Sequence, residues 1–465
     1  MSKITNVRLP NAASQGYSPE QFNQLVRSLE QIILQLNTTY TPVFTENTQS
    51  ANTWYDGNRG LDMDSSLIVA TSFDAFGRLR VSNPYTLFDS QNRYQKDPQF
   101  SEELTTGGTA TYVANESSVD LAVTTSSGSK VVRQTYRVFP YQPGKSLLAL
   151  ATFVMNASKT NLRQRVGYFD GSNGVFFQVS NTTKSFVLRT NTSGTPSDSR
   201  TVNQADWNGD KLDGTGPSGL TLDTTKAQIL YMDFEWLGVG SVRCGFVING
   251  TFIVCHTFNN ANDIDKVYMT TAVLPIRYEI ENTGVAASAS TLTQICSSVI
   301  SEGGYQQTSI EHVARRVNAT SSSTITTSFY PIVSIRLASA ALGAVVVPSS
   351  FNFLPTTSDN YEIALIKNTT LTGPSWIAVS SDANVESDIA STAMTGGTIV
   401  SSSFTTGKSG PTPLTAGESY NWDLQLGASL AGVSDIFTLA ARVVTTGGAG
   451  SGGGIGSLSF YDLTD

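Results

Sequence analysis

The chain has 465 residues, a formal net charge of −8 and a sequence pI near 5.0, and its 29 Lys and Arg residues do not cluster, which argues against a nucleic-acid groove. Charged residues make up 14 % of the chain and hydrophobic ones 39 %. That is poor in charge beside the roughly 25 % of typical soluble domains, yet apolar enough to build real cores, so disorder is excluded.

The first stretch, "MSKITNVRLPNAASQGY", has no hydrophobic run of the kind a secretory signal needs. The three cysteines therefore read as thiols of a protein made in a reducing cytosol, not as a disulfide framework. No apolar run approaches the ~18 to 20 residues of a membrane span. The length suggests about three domain-sized units, or fewer if they are large β-sandwiches.

"SPEQFNQLVRSLEQIILQLN" (18–37) predicts an amphipathic helix. Ser18 is an N-cap, Pro19 suits the first helical position, and Gln21 completes a capping box. Phe22, Leu25, Leu29, Ile32 and Leu36 alternate at spacings of three and four, a heptad seam widened by Val26 and Ile33. Asn23, Arg27, Glu30 and Gln31 fill the opposite face. One helix cannot bury such a stripe by itself. It packs either on its own β-domain or on symmetry copies.

"NTTYTPVFTENTQSANTWYDGNRGLD" then reads as an extended polar connector, followed by short strand-like pieces broken by Gly77, Pro84 and Pro98. From about Thr109, strands such as "SLLALATFVM", "GVFFQVS", "AQILYMDFEWLG" and "VLPIRYEIEN" follow one another, interrupted by a turn-rich loop at 191–224. This density predicts a jelly-roll type of β-sandwich. In "VRCGFVINGTFIVCHTF", Asn249-Gly250 predicts a type I′ turn. Pairing outward from it sets Cys244 opposite Cys255, with Val242, Phe246, Ile248 and Ile253 on the shared face and Val247, Phe252 and Val254 on the other. Both faces are apolar, which predicts an interior hairpin with two buried thiols. A second β-region starts near residue 306, and the glycine-rich "GGAGSGGGIG" before the last strand reads as a flexible hairpin loop.

Few residues offer chemistry. Neither His256 nor His312 has zinc-ligand spacing to the cysteines, and no G-x-S-x-G elbow is present. "TTGKSG" fails as a phosphate loop because Ser402 stands where the motif needs glycine. Alternation along "YMDFEW" puts Asp233 and Glu235 on one strand face, a pair that could serve glycoside hydrolysis. The β-glucanase pattern needs a further acid two positions earlier, where this chain has Tyr231, and a solvated or hydrogen-bonded sheet face is the alternative. In "ADWNGDKLDGTGPSG", Asp206, Asn208, Asp210 and Asp213 are spaced like the oxygen donors of a calcium loop. Lys211 replaces the usual glycine, so a turn-rich surface loop is the competing reading.

"FDAFGRLRVSNPYTLFDSQNRY" (73–94), "FEWLGVGSVRCGFVING" (234–250), "LPIRYEI" (274–280) and "ICSSVISEGGY" (295–305) resemble a family of virion structural proteins of tailed bacteriophages, notably marine and cyanobacterial ones. The resemblance covers most of 73–305 and continues more loosely to the C-terminus. It implies a virion protein made in the host cytoplasm and released by lysis, and it carries over no catalytic residues. The expected partners are copies of itself, most simply as a trimer, other virion proteins and host surface glycans, without nucleic acid or a membrane span; no cofactor is expected.

The expected architecture is mainly β: an N-terminal helical attachment or oligomerisation segment (1–45), an extended connector with short strands (46–108), a jelly-roll or lectin-like sandwich (109–305) and a C-terminal sandwich (306–465). The expected role is a non-enzymatic, oligomeric head or tail appendage. A glycan-binding host-adsorption module is the alternative, and a glycanase using Asp233 and Glu235 a further one. No fibrous repeat or shaft sequence is present, which departs from the appendage pattern.

Overall fold

A computed structural model describes residues 18–35, 53–56, 60–63, 83–306, 309–321, 324–407, 414–415, 424–444 and 451–464. The chain divides into two compact units, Met1–Ser82 and Asn83–Asp465. The first holds the predicted helix, α1 (Pro19–Gln35), and an antiparallel pair, β1 (Thr53–Asp56) with β2 (Gly60–Met63). Phe22 N donates to Ser18 O at 2.9 Å, the first helical bond after the cap residue.

The second unit is β-rich throughout. Its N-terminal sandwich is built from β3 (Tyr85–Gln91), β4 (Phe100–Thr105), β5 (Thr109–Val113), β6 (Ser118–Val123), β7 (Lys130–Thr135), β8 (Leu147–Val154), β9 (Leu162–Phe169) and β10 (Gly174–Ser180). It continues with β11 (Thr183–Thr190), β12 (Ser197–Asn203), β13 (Gln228–Phe234), β14 (Val242–Ile248), β15 (Thr251–Phe258), β16 (Ile276–Asn282) and β17 (Ser290–Ser301). One antiparallel sheet runs β12-β11-β10-β9-β16-β7-β4, the other β15-β14-β13-β8-β17-β6-β5, with β3 paired to β17. The sheets pack face to face through aromatic pairs that cross between them, such as Phe177–Phe246 and Tyr168–Phe234, whose ring centroids are each 5.2 Å apart.

The sandwich therefore starts near Tyr85, not Thr109. Pro84 and Pro98 stand just before strands, where the missing N–H costs no ladder bond, and so they do not interrupt the sheet. The 191–224 segment is also more ordered than a loop. It contributes β12 and buries Trp207, whose ring lies 4.7 Å from Phe186. It then covers the open edge of β15, with Gly209 N donating to Cys255 O and Asp210 N to Val254 O, both at 2.9 Å.

The Asn249-Gly250 hairpin forms as predicted, both residues having positive φ (53° and 79°). Its register holds from Ile248↔Thr251 to Gly245↔Val254, then a bulge shifts it, so Cys244 faces His256 instead of Cys255. Both thiols are free and lie in the core. The hairpin sits at the sheet edge, so only one of its apolar faces is interior; Phe252 and Val254 are exposed.

The C-terminal sandwich comprises β18 (Glu311–Arg316), β19 (Tyr330–Leu337), β20 (Val346–Pro355), β21 (Asn360–Lys367), β22 (Thr370–Thr372), β23 (Ile377–Ala378), β24 (Val385–Asp388), β25 (Ala393–Thr395), β26 (Thr398–Thr406), β27 (Leu414–Thr415), β28 (Ile436–Val443) and β29 (Gly454–Asp462). Its sheets run β18-β29-β20-β27 and β23-β24-β19-β28-β21-β26, with β22 and β25 as a separate pair. Part of the glycine-rich stretch is packed, not flexible. Ile325 N donates to Gly452 O at 2.9 Å, and a Cβ on Gly452 would lie 1.9 Å from the Tyr361 hydroxyl. The two sandwiches dock through the 424–434 segment: Gln425 Nε2 donates to Val138 O at 2.8 Å and Ala428 N to Tyr136 O at 2.9 Å.

Candidate functional site

Two surfaces stand out. On α1, Phe22, Leu29 and Val26 are 57 %, 47 % and 37 % exposed, while Leu25 and Ile32 are half-buried. The predicted seam thus forms a largely uncovered apolar stripe in the single chain; Leu36 lies outside the described residues. Among the described residues no helix is long and apolar enough to cross a membrane.

The second surface is the outer face of the β13-β14-β15 edge. Alternation turns Leu230, Met232 and Phe234 into the core and puts Tyr231 and Asp233, both buried, on the opposite face of the sheet. Register then sets Arg243 of β14 beside Asp233, and Gly245 beside Tyr231. Arg243 Nη2 donates to Asp233 Oδ2, and Ser146 Oγ donates to Asp233 Oδ1 at 2.7 Å. Glu302 joins from beyond β17, fixed by its backbone N–H donating to Ser146 O at 2.9 Å. Burial raises the Glu302 pKa, and the Asp233 charge pushes the same way against Arg243. Together with Leu148, Phe252 and Val254, these side chains enclose an open pocket of about 250 Å³.

Tyr231 is 3 % exposed, and its hydroxyl has no hydrogen-bond partner among the described residues. Phe252, 53 % exposed, rests edge-to-face on it at 5.0 Å between centroids. Gly245 is required here: a Cβ would lie 1.9 Å from Ile253 O and 2.9 Å from the Tyr231 hydroxyl. This arrangement offers an exposed ring for stacking and, beside it, a guanidinium that is 54 % exposed.

The predicted acid pair does not assemble. Glu235 lies beyond the end of β13, exposed, where its Oε1 accepts from Ser241 N at 3.3 Å in a turn. Asp233 instead meets Arg243 and Glu302, neither of which the sequence singled out. Reading the hairpin register outward would have found Arg243; Glu302 is brought in by tertiary pairing alone.

The calcium-loop residues serve their own loop. Asp210 accepts from Leu212 N (2.9 Å) and Ser218 N (2.7 Å), Asp213 from Thr215 N (2.9 Å), and Asn208 pairs both ways with the Thr257 backbone of β15. Asp206 closes a short 3₁₀ turn. Burial pushes the Asp210 carboxyl up, but donors from Ser218 and Leu212 outweigh it and hold the pKa below the usual range. These oxygens are engaged as turn acceptors, and among the described residues no group of three or more His, Cys, Asp or Glu could hold a metal ion.

A larger depression of about 520 Å³ lies by Arg200, His256 and Phe258. Its polar groups are already engaged: Arg200 Nη1 donates to Asn260 Oδ1, and His256 Nδ1 accepts from Asn208 N at 3.4 Å. Burial, with Arg200 nearby, lowers the His256 pKa to about 4.

The outer face of the other sheet carries an ion cluster over Phe169, Phe176 and Val187. Glu279 Oε2 accepts from Arg277 Nη2 at 2.6 Å, and Oε1 from Arg165 Nη1 at 3.3 Å. Arg165 also reaches Asp198, which Arg189 holds in a fork at 2.7 and 2.9 Å. Every acid in this cluster already has a guanidinium partner, so its role is structural.

No family model and no curated protein matches the chain. Among solved structures, parts of it are similar to the carbohydrate recognition domain of Emp47p (12 % identity over 44 % of this chain and 89 % of that one, TM-score 0.28). Bacillus licheniformis β-glucanase is similar at 11 % identity (46 % and 96 % covered, TM-score 0.30), and peanut lectin at 13 % (47 % and 98 %, TM-score 0.29).

Proposed function

We propose that the protein is a non-enzymatic structural component of a bacteriophage virion, an oligomeric head or tail appendage attached by its N-terminal segment. The observation that carries this reading is the exposed seam of α1. Heptad spacing matches the geometry by which helices pack on copies of themselves, and a trimer arranged about one axis covers all three stripes at once. The stretches between residues 73 and 305 that resemble virion structural proteins support the setting. Asp233 supports the absence of catalysis, since Ser146 and Arg243 already engage both its oxygens. Mass spectrometry and electron microscopy of particles of the encoding phage test the assignment. The chain is expected in purified particles at a symmetric position, and its absence from them refutes the reading.

A second role, glycan binding during host adsorption, is favoured by the exposed Phe252 ring beside Arg243 and Glu302. It is compatible with the structural role, because an appendage presents its sandwiches outward.

A further inference from the structure

We infer that β18 is an interface strand, through which the C-terminal sandwich pairs edge to edge with β18 of a second copy about a twofold axis. The contact is separate from the α1 seam and does not rest on it. β18 is the last strand of its sheet and has β29 on one side only. Among the described residues no backbone hydrogen bond reaches its other edge, whereas the edge of β15 is covered by Gly209 and Asp210.

Sheet edges are commonly blunted by a bulge or a proline. β18 has neither: it pairs with β29 without a shift from Glu311↔Tyr461 to Arg316↔Gly456, and its six residues include no proline. Arg316 fastens the strand to the facing sheet, its Nε donating to Ile332 O at 2.8 Å, so the open ladder is presented already ordered.

Charge on an edge is the other usual deterrent, because like charges repel a second strand. Here the charges have opposite signs and stand symmetrically about a valine. Alternation leaves Glu311, Val313 and Arg315 exposed on the outer face and turns Ala314 into the core. Two copies laid antiparallel and centred on Val313 set each Glu311 opposite the partner's Arg315, with the two valines facing each other. Opposite charges directly across a strand pair stabilise it, and the twofold axis makes the match twice. A slip of one residue would bring the outer face of one strand against the core face of the other. A slip of two would lose both charge pairs.

The groups needed are available. Arg315 has no partner among the described residues, and Glu311 commits only Oε1, to the Ser349 hydroxyl. Apolar surface lies beside the edge as well. Val313 and Val317 are 45 % and 63 % exposed, and Val317, Leu354 and Ile455 line a depression of about 210 Å³.

The test is sedimentation velocity on the full chain carrying Leu29→Asp, so that association through α1 does not mask the contact. This protein is expected to dimerise as its concentration rises. Adding Glu311→Arg or Arg315→Glu sets like charges opposite each other twice per pair. Each is expected to weaken dimerisation roughly tenfold with an unchanged melting temperature. An equimolar mixture of the two variants restores opposite charges at both contacts, as does one chain carrying both changes, and dimers are expected to return in both cases. A Leu29→Asp protein that stays monomeric at every concentration would overturn the inference while leaving assembly through α1 intact. Dimers that survive both single changes, or a mixture that stays monomeric, would overturn it by placing the contact elsewhere.

Discussion

Glu279 is a buried charge of the N-terminal sandwich, and its replacement by Gln tests the packing of that sheet face. The carboxylate is 3 % exposed, held by Arg277 at 2.6 Å and Arg165 at 3.3 Å. Burial alone would raise its pKa, but the two guanidinium groups outweigh burial and bring it from 4.5 down to about 2. Burial in turn lowers Arg165 only to about 10, so Arg165 stays charged through the acid range in which Glu279 titrates. A folded pKa below the unfolded one means stability that is complete well above 4.5 and lost as pH falls through about 2. The shift from 4.5 to about 2 corresponds to some ~3 kcal/mol at neutral pH. Removing one partner of a buried pair costs about 3 to 5 kcal/mol, the same range. Glu279→Gln should therefore lower the unfolding free energy at pH 7 by about 3 kcal/mol, and the gap should shrink by roughly 2 kcal/mol at pH 3. Denaturant unfolding followed by tryptophan fluorescence, with the buried Trp207 as reporter, measures both. A gap that does not change with pH, or a variant as stable as the parent, would refute the electrostatic account.

Gly245→Ala should destabilise the β14-β15 hairpin by about 1 to 3 kcal/mol, because its Cβ would sit 1.9 Å from Ile253 O; an unchanged melting curve would show that the edge strand moves freely. Cys244 and Cys255 should resist thiol reagents in the native protein, since burial raises both pKa values, Cys255 to about 12; mass spectrometry showing either one labelled before unfolding contradicts that. Polysaccharide turnover should stay at background with the parent chain, and hydrolysis abolished by Asp233→Asn or Glu302→Gln would overturn the non-catalytic assignment.

Local chemistry was legible in the sequence where it acted locally. Ser18 and Pro19 start α1, and Asn249-Gly250 supplies the two positive φ angles of the hairpin turn. Alternation correctly sorted Val242, Phe246 and Ile253 from Phe252 and Val254. What failed depends on pairing between distant segments. The bulge at Cys255 coincides with the point where Gly209 and Asp210 bond to the edge of β15, a contact that no property of the hairpin itself announces. β3 and β4 looked like connector because each follows a proline, and only β17 and β7 complete them. The candidate pocket was half legible: Asp233 and Phe252 come from the strand pattern, whereas Glu302 arrives through β17.

Sedimentation velocity on the parent chain and on Leu29→Asp, each with a melting curve, tests self-assembly through α1 most directly. Leu29 lies mid-seam and is 47 % exposed in the single chain. Burying one such side chain contributes about 1.5 to 3 kcal/mol wherever the stripe is covered, so a carboxylate there is costly at that contact. The parent is expected to sediment as an oligomer, and Leu29→Asp as a smaller species whose sandwiches melt at the parent temperature. A monomeric parent, or a variant that keeps its oligomeric state but melts lower, would contradict assembly through the helix.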